Sequence, residues 1–195
     1  MKKTIILLAC VLIGVTFSSC ADQTKDPAGV LVNSNVINQQ NFTVAADEIG
    51  LETETQGTIF VISDENAPQE IKIVIIANFL VDENDWAGVA YGFPQAWTLT
   101  RVLSTCPDNL QNPEDYTTIW QTGSDKEWHI SIDVGHSKFD SDLSGGGEGN
   151  LLIELILENP DATLPDSFDV LIGTGSKGDH VAHPAKKIIS VPLTR

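Results

Sequence analysis

The chain has 195 residues, with 27 acidic against 11 basic side chains and a formal net charge of −16. That balance disfavours nucleic acid and anionic lipid surfaces as partners and favours cations or basic proteins, although a solvated acidic coat accounts for most of it. The three cysteines give no intrachain disulfide: Cys10 sits in the amino-terminal apolar run, Cys20 follows that run, and Cys106 stands alone before Pro107, so stability must come from a packed core. Cys106 reads as a structural cysteine, with a reactive thiol as the alternative.

In chain order, Lys2 and Lys3 form a basic tip, residues 5–15 an apolar stretch, and Phe17-Ser18-Ser19-Cys20 brings small residues to a cysteine. This is the three-part layout of a secretory signal, with an apolar part too short to span a bilayer. Phe17-Ser18-Ser19-Cys20 resembles the lipobox of bacterial lipoproteins, with Phe17 where leucine is usual. The resemblance implies that residues 1–19 are a signal peptide and that Cys20 becomes the lipidated first residue. It also implies a protein anchored in the bacterial cell envelope, facing the periplasm or the cell surface. Plain secretion and an uncleaved anchor are the alternatives. Residues 20–29 are polar and aperiodic, as expected of a lipidated tether, and residues 30–195 have the size of one domain.

From residue 30 onward the chain reads as strands separated by Asp, Asn, Gly and Pro. Candidate strands are residues 30–37, 42–46, 57–63, 71–81, 88–91, 97–104, 116–121, 127–134, 151–157, 168–172 and 186–194. Residues 71–81 are apolar at nearly every position, which suits a strand buried on both faces or a short helix; Ile71, Ile73, Val74, Ile75 and Ile76 favour the strand. Trp128, Ile130, Ile132 and Val134 alternate with His129, Ser131 and Asp133, giving the period of two of a half-buried strand. Leu151, Ile153, Leu155 and Leu157 repeat the pattern, as do Phe168, Val170 and Ile172, so Ile130, Ile132, Ile153 and Leu155 are expected in one core. About nine or ten strands, no amphipathic helix of three turns and no long repeat predict an all-β, antiparallel β-sandwich, with a short helical turn near residues 112–115.

Three motifs carry chemistry. Gly173-Thr174-Gly175-Ser176-Lys177-Gly178 has the spacing of a dinucleotide-binding loop, but too little chain follows for a crossover helix and a second strand, so a glycine-rich hairpin turn is the better account. Asp140, Asp142 and Ser144, followed by Gly145, match the opening of a calcium loop and are the candidate metal ligands. Leu151 occupies the position where an EF-hand needs its bidentate glutamate, so the alternative is an acidic loop turned by glycines and no cofactor. His180 and His183, next to Asp179, are weak candidates for a transition-metal site. There is no nucleophile elbow, HExxH motif or clear Ser/His/Asp grouping, which places an enzyme behind a binding protein.

Residues 85–99, beginning Asp85-Trp86-Ala87-Gly88 and containing Phe93-Pro94-Gln95-Ala96-Trp97-Thr98, resemble a segment of the immunoglobulin-like β-sandwich modules of secreted bacterial surface and adhesion proteins. Ala96 stands where that pattern prefers glycine. The resemblance implies an immunoglobulin-like fold and a non-catalytic binding or adhesion role for a glycan or protein ligand. Trp86, Tyr91, Phe93 and Trp97 are the candidate ligand-binding residues, as an exposed platform for sugar rings edged by Asp82, Glu83, Asn84 and Asp85. The same four aromatics could equally close one end of the core. A carbohydrate-binding lipoprotein is thus the second reading, and a secreted hydrolase or hydrolase inhibitor the reading from another class.

Overall fold

The computed structural model describes residues 35–64, 67–105, 116–122, 127–135, 146–157, 165–177 and 181–194. Residues 1–29, read above as signal peptide and tether, Cys106, residues 112–115, where a helical turn is expected, and residues 140–145, with the calcium-loop candidates, lie outside the described residues. Ten strands follow in order: β1 Val36–Ala45, β2 Glu54–Asp64, β3 Ala67–Val81, β4 Val89–Phe93, β5 Trp97–Ser104, β6 Thr117–Gln121, β7 Ile130–Val134, β8 Gly147–Leu157, β9 Ser167–Thr174 and β10 Ala185–Pro192. A 3-10 turn spans Asp47–Ile49; Gly50 ends it in the left-handed region, donating its N–H to the Asp47 carbonyl.

The strands form two antiparallel five-stranded sheets, ordered β1-β2-β3-β8-β5 and β10-β9-β4-β7-β6. Period-two alternation decides which side of each sheet is buried. In β3, Ile71, Ile73, Ile75, Ala77, Phe79 and Val81 point inward, while the intervening residues face outward. Residues 71–81 are therefore a strand, as expected, but not one buried on both faces: Ile76 and Leu80 remain exposed. In β7 and β8, Ile130, Ile132, Ile153 and Leu155 are buried in the same apolar cluster, as their spacing predicts.

That cluster draws on both sheets, which makes the fold a β-sandwich. Trp97 of β5 meets Phe168 of β9 edge-on, with ring centroids 5.0 Å apart and planes at 87°. The Tyr91 hydroxyl of β4 and Thr55 Oγ1 of β2 are 2.6 Å apart, a hydrogen bond that crosses the sandwich. Burial holds the Tyr91 phenol well above its ordinary value, so it stays protonated. On one side the sheets approach each other where β1 lies against β10.

Two sequence expectations change. The predicted strands at 30–37 and 42–46 are replaced over the described residues by the single strand β1, because the polar run Asn38, Gln39, Gln40, Asn41 continues pairing with β2 across one register shift. Trp128 is not part of β7 and not in the core: the strand begins at Ile130, and Trp128 is only partly buried.

Candidate ligand-binding face

Tyr91, Phe93 and Trp97 are fully or almost fully buried between the sheets. They form no exposed platform, and their place in the core is explained by inward alternation in β4 and by Trp97 opening β5 against Phe168. Trp86 is half-buried and its N–H donates to the Ser176 carbonyl at 3.2 Å. The acidic edge expected beside these aromatics serves the fold instead. Asp85 is completely buried, and its carboxylate accepts from Thr53 Oγ1 at 2.6 Å and from the backbone N–H groups of Ala87, Gly88 and Ser176 at 2.9, 3.1 and 2.8 Å. Asp82 accepts from the N–H groups of Glu52 and Asn84. Those two backbone bonds, the Glu52 one foremost, hold the Asp82 carboxyl below its ordinary value.

The outer face of the second sheet carries a different constellation. Register across β6, β7, β4, β9 and β10 aligns two rows: Trp120, Ser131, Gly92, Leu171 and Ile188, and beside it Thr118, Asp133, Ala90, Gly173 and Lys186. The centre of each row is therefore paved with small residues, while bulky and charged ones stand at the sides. A pocket of about 280 Å³ lies over this floor.

Trp128 and His183 wall the pocket, Trp128 packed against Gly92 and His183 set so close over Gly173 that a side chain there would displace it. A Cβ at Gly92 would stand 3.4 Å from the Trp128 Cβ, and a Cβ at Gly173 would stand 2.7 Å from the His183 Cβ. His183 has φ 52°, the one non-glycine positive φ among the described residues. A histidine in the left-handed region is strained unless its surroundings fix it, and such strain gathers at functional sites. Here the His183 N–H donates to the Gly175 carbonyl at 2.7 Å, and Nε2 lies 3.3 Å from the Ala87 carbonyl. Because a carbonyl only accepts, Nε2 carries the proton and Nδ1 is left as an acceptor. Burial lowers the His183 pKa, against the opposing pull of Asp133, so the ring is neutral at pH 7.

The rim is mixed in polarity. Ser131 Oγ donates to Asp133 Oδ1 at 3.0 Å, and Lys186 lines the same pocket, with Leu171 and Ala182 as apolar patches. Ser131, Asp133 and His183 are not linked in the order of a nucleophile and its base: the serine proton goes to the aspartate and the imidazole proton to a backbone carbonyl. Trp120 is 55% exposed on β6, across from Ser131.

The remaining candidate residues divide in two. Cys20, Asp140, Asp142, Ser144 and His180 lie outside the described residues, so the lipidation and calcium readings gain no geometry here. His183 is described, but among the described residues no group of three or more His, Cys, Asp or Glu side chains is placed to hold a metal ion. The glycine string from Gly173 leads out of β9 into the connection to its antiparallel neighbour β10, the hairpin expected from the sequence. No helix among the described residues is long and apolar enough to cross a membrane. Comparison with protein-family models finds no matching family, and comparison with curated proteins finds no match.

Proposed function

We propose that this chain is a lipid-anchored, non-enzymatic β-sandwich of immunoglobulin-like type that works at the bacterial cell envelope as a binding or adhesion module, with the outer face of the second sheet as its contact surface. The observation that carries this reading is the pocket walled by Trp128 and His183 over a floor of Ala90, Gly92 and Gly173, because a large aromatic packed against Gly92 and an imidazole packed too closely on Gly173 to admit a Cβ there make a preformed, ligand-sized recess. The immunoglobulin-like assignment is supported by connectivity. Strands β2, β3, β4, β5, β8, β9 and β10, taken as A to G, give sheets in the order A-B-E-D and G-F-C, with β1 and the β6–β7 hairpin as additions. The anchor rests on Cys20 and the run before it.

A saccharide is the favoured ligand within this reading, because Trp120 and Trp128 share the pocketed face. Retention of the purified chain on isolated envelope fractions is the test. The module reading expects saturable retention that Trp128→Ala reduces at least tenfold while leaving the far-UV circular dichroism unchanged. Retention indifferent to Trp128 would remove the face from the proposal.

A further inference from the structure

The β7–β4–β9 pocket combines three properties that narrow its ligand. Its volume, about 280 Å³, is just below the range of roughly 300–1,000 Å³ usual for small-molecule sites, so it suits one small ring and not an extended apolar ligand. It offers an aromatic wall, Trp128, close to a flat floor of Ala90, Gly92 and Gly173. Its polar groups are both acceptors and donors: the Asp133 carboxylate, the Ser131 hydroxyl, the Lys186 ammonium and a neutral imidazole.

We propose, building on the reading of this face as the contact surface, that the pocket binds one ring of a neutral saccharide, packed against Trp128, and that Trp120 carries the next ring of a longer chain. A pyranose has an apolar C–H face and an edge of hydroxyl groups that each donate and accept. Trp128 supplies the complementary flat surface. Asp133, with one oxygen bonded to Ser131, presents its carboxylate to ring hydroxyls, and Lys186 donates from the opposite side of the floor, three strand spacings away. One negative and one positive side chain leave the pocket close to neutral, and the strongly acidic chain around it opposes anionic sugars. Trp120 stands on β6 and Trp128 over Gly92 of β4, so the two indoles are offset by about two strand spacings, ~9.6 Å, across the sheet. That offset places Trp120 beyond the pocket mouth and not inside it.

The experiment titrates the full chain, held in a detergent without a sugar headgroup, with neutral methyl glycosides of common hexoses and N-acetylhexosamines and with trisaccharides built from them. Tryptophan fluorescence and calorimetry report binding. At least one neutral glycoside is expected to bind saturably; Trp128→Ala abolishes binding, and Asp133→Asn weakens it about tenfold. Trp120→Ala leaves the glycoside unchanged and weakens the trisaccharide about fivefold. Far-UV circular dichroism checks each variant's fold, and Lys186→Ala, an exposed change expected to weaken binding several-fold, serves if Trp128→Ala unfolds. The saccharide proposal is overturned if no neutral sugar binds, if uronic or sialic acids bind more tightly than neutral sugars, or if Asp133→Asn and Lys186→Ala leave affinity unchanged. If neutral sugars fail while retention on envelope fractions still depends on Trp128, the saccharide is wrong and the module reading stands. If that retention is also indifferent to Trp128, both fall.

Discussion

Asp85 shows how much one carboxylate can organise. Four donors converge on it in a site without exposed surface, and they come from β2's approach, the turn into β4 and the end of β9. Removing the acceptor leaves those donors buried and unpaired, so Asp85→Ala should cost on the order of 3 kcal/mol or more, read as a lower urea midpoint. His183 is the second residue with a distinct signature. Burial places its folded pKa below the ordinary 6.5, with Asp133 and Asp85 opposing the shift and Lys186 adding to it. As pH falls, the unfolded chain therefore takes up its proton first. The stability tied to neutral His183 is full above about pH 6.5 and declines through the window below it. Melting temperatures measured from about pH 8 down to about pH 5 should show this decline, and His183→Asn, which tolerates the left-handed conformation, should flatten it.

At the scale of the element, β7 and β8 behave as their alternation demands. Ile132 and Leu155 have no exposed surface, and truncating either to alanine should destabilise by about 2–5 kcal/mol in equilibrium denaturation. Much of this was legible: the inward faces of β7, β8 and β9 follow from period two alone, whereas β3 is apolar at nearly every position and its outward face, with Ile76 and Leu80, emerged only from the sheet. β6 was harder to read. In Thr117-Thr118-Ile119-Trp120-Gln121 neither alternating set is uniformly apolar, so the sequence does not say whether Ile119 or Trp120 faces the core. Pairing with β7 sets the sides, since Ile119 aligns with buried Ile132 and Trp120 with outward Ser131, but on this edge strand neither is buried: Ile119 stays 51% and Trp120 55% exposed. The alternation through Trp128 misled for a related reason, since the pattern continued two residues before the ladder began. The β9–β10 hairpin makes its own prediction. Gly173→Ala would bring a methyl against the His183 Cβ and should cost about 1–3 kcal/mol while displacing the pocket wall. Thermal melts and loss of envelope retention would report the two effects together.

For the whole molecule, the proposed anchor and the sandwich occupy separate stretches of the chain. The proposed anchor rests on the first twenty residues: if it is right, Cys20→Ser should move the protein from the detergent-rich to the aqueous phase on partitioning and abolish its lipid mass. A variant still partitioning with membranes would refute the lipobox reading. The sandwich is held by side chains that reach across it, Trp97 to Phe168 and Tyr91 to Thr55, with β1 and β10 bringing the sheets together along one side.

Taken alone, the order of residues determined the features that are local in the chain. These are the basic, apolar and cysteine-terminated order of the first twenty residues, the positions of most strands, the inward side of the alternating strands β7, β8 and β9, and the hairpin at the glycine string. Periodicity records a difference between two faces, and that difference needs no knowledge of distant residues. Tertiary structure alone decided which aromatics meet solvent. Trp86, Tyr91, Phe93 and Trp97 formed the most distinctive aromatic run in the sequence, yet three of them fill the core, while Trp120 and Trp128 share the outer face. The reason is that a surface site is assembled from strands joined through hydrogen-bonded register. Gly92, Gly173, Asp133 and Lys186 become neighbours only once β7, β4, β9 and β10 are aligned side by side.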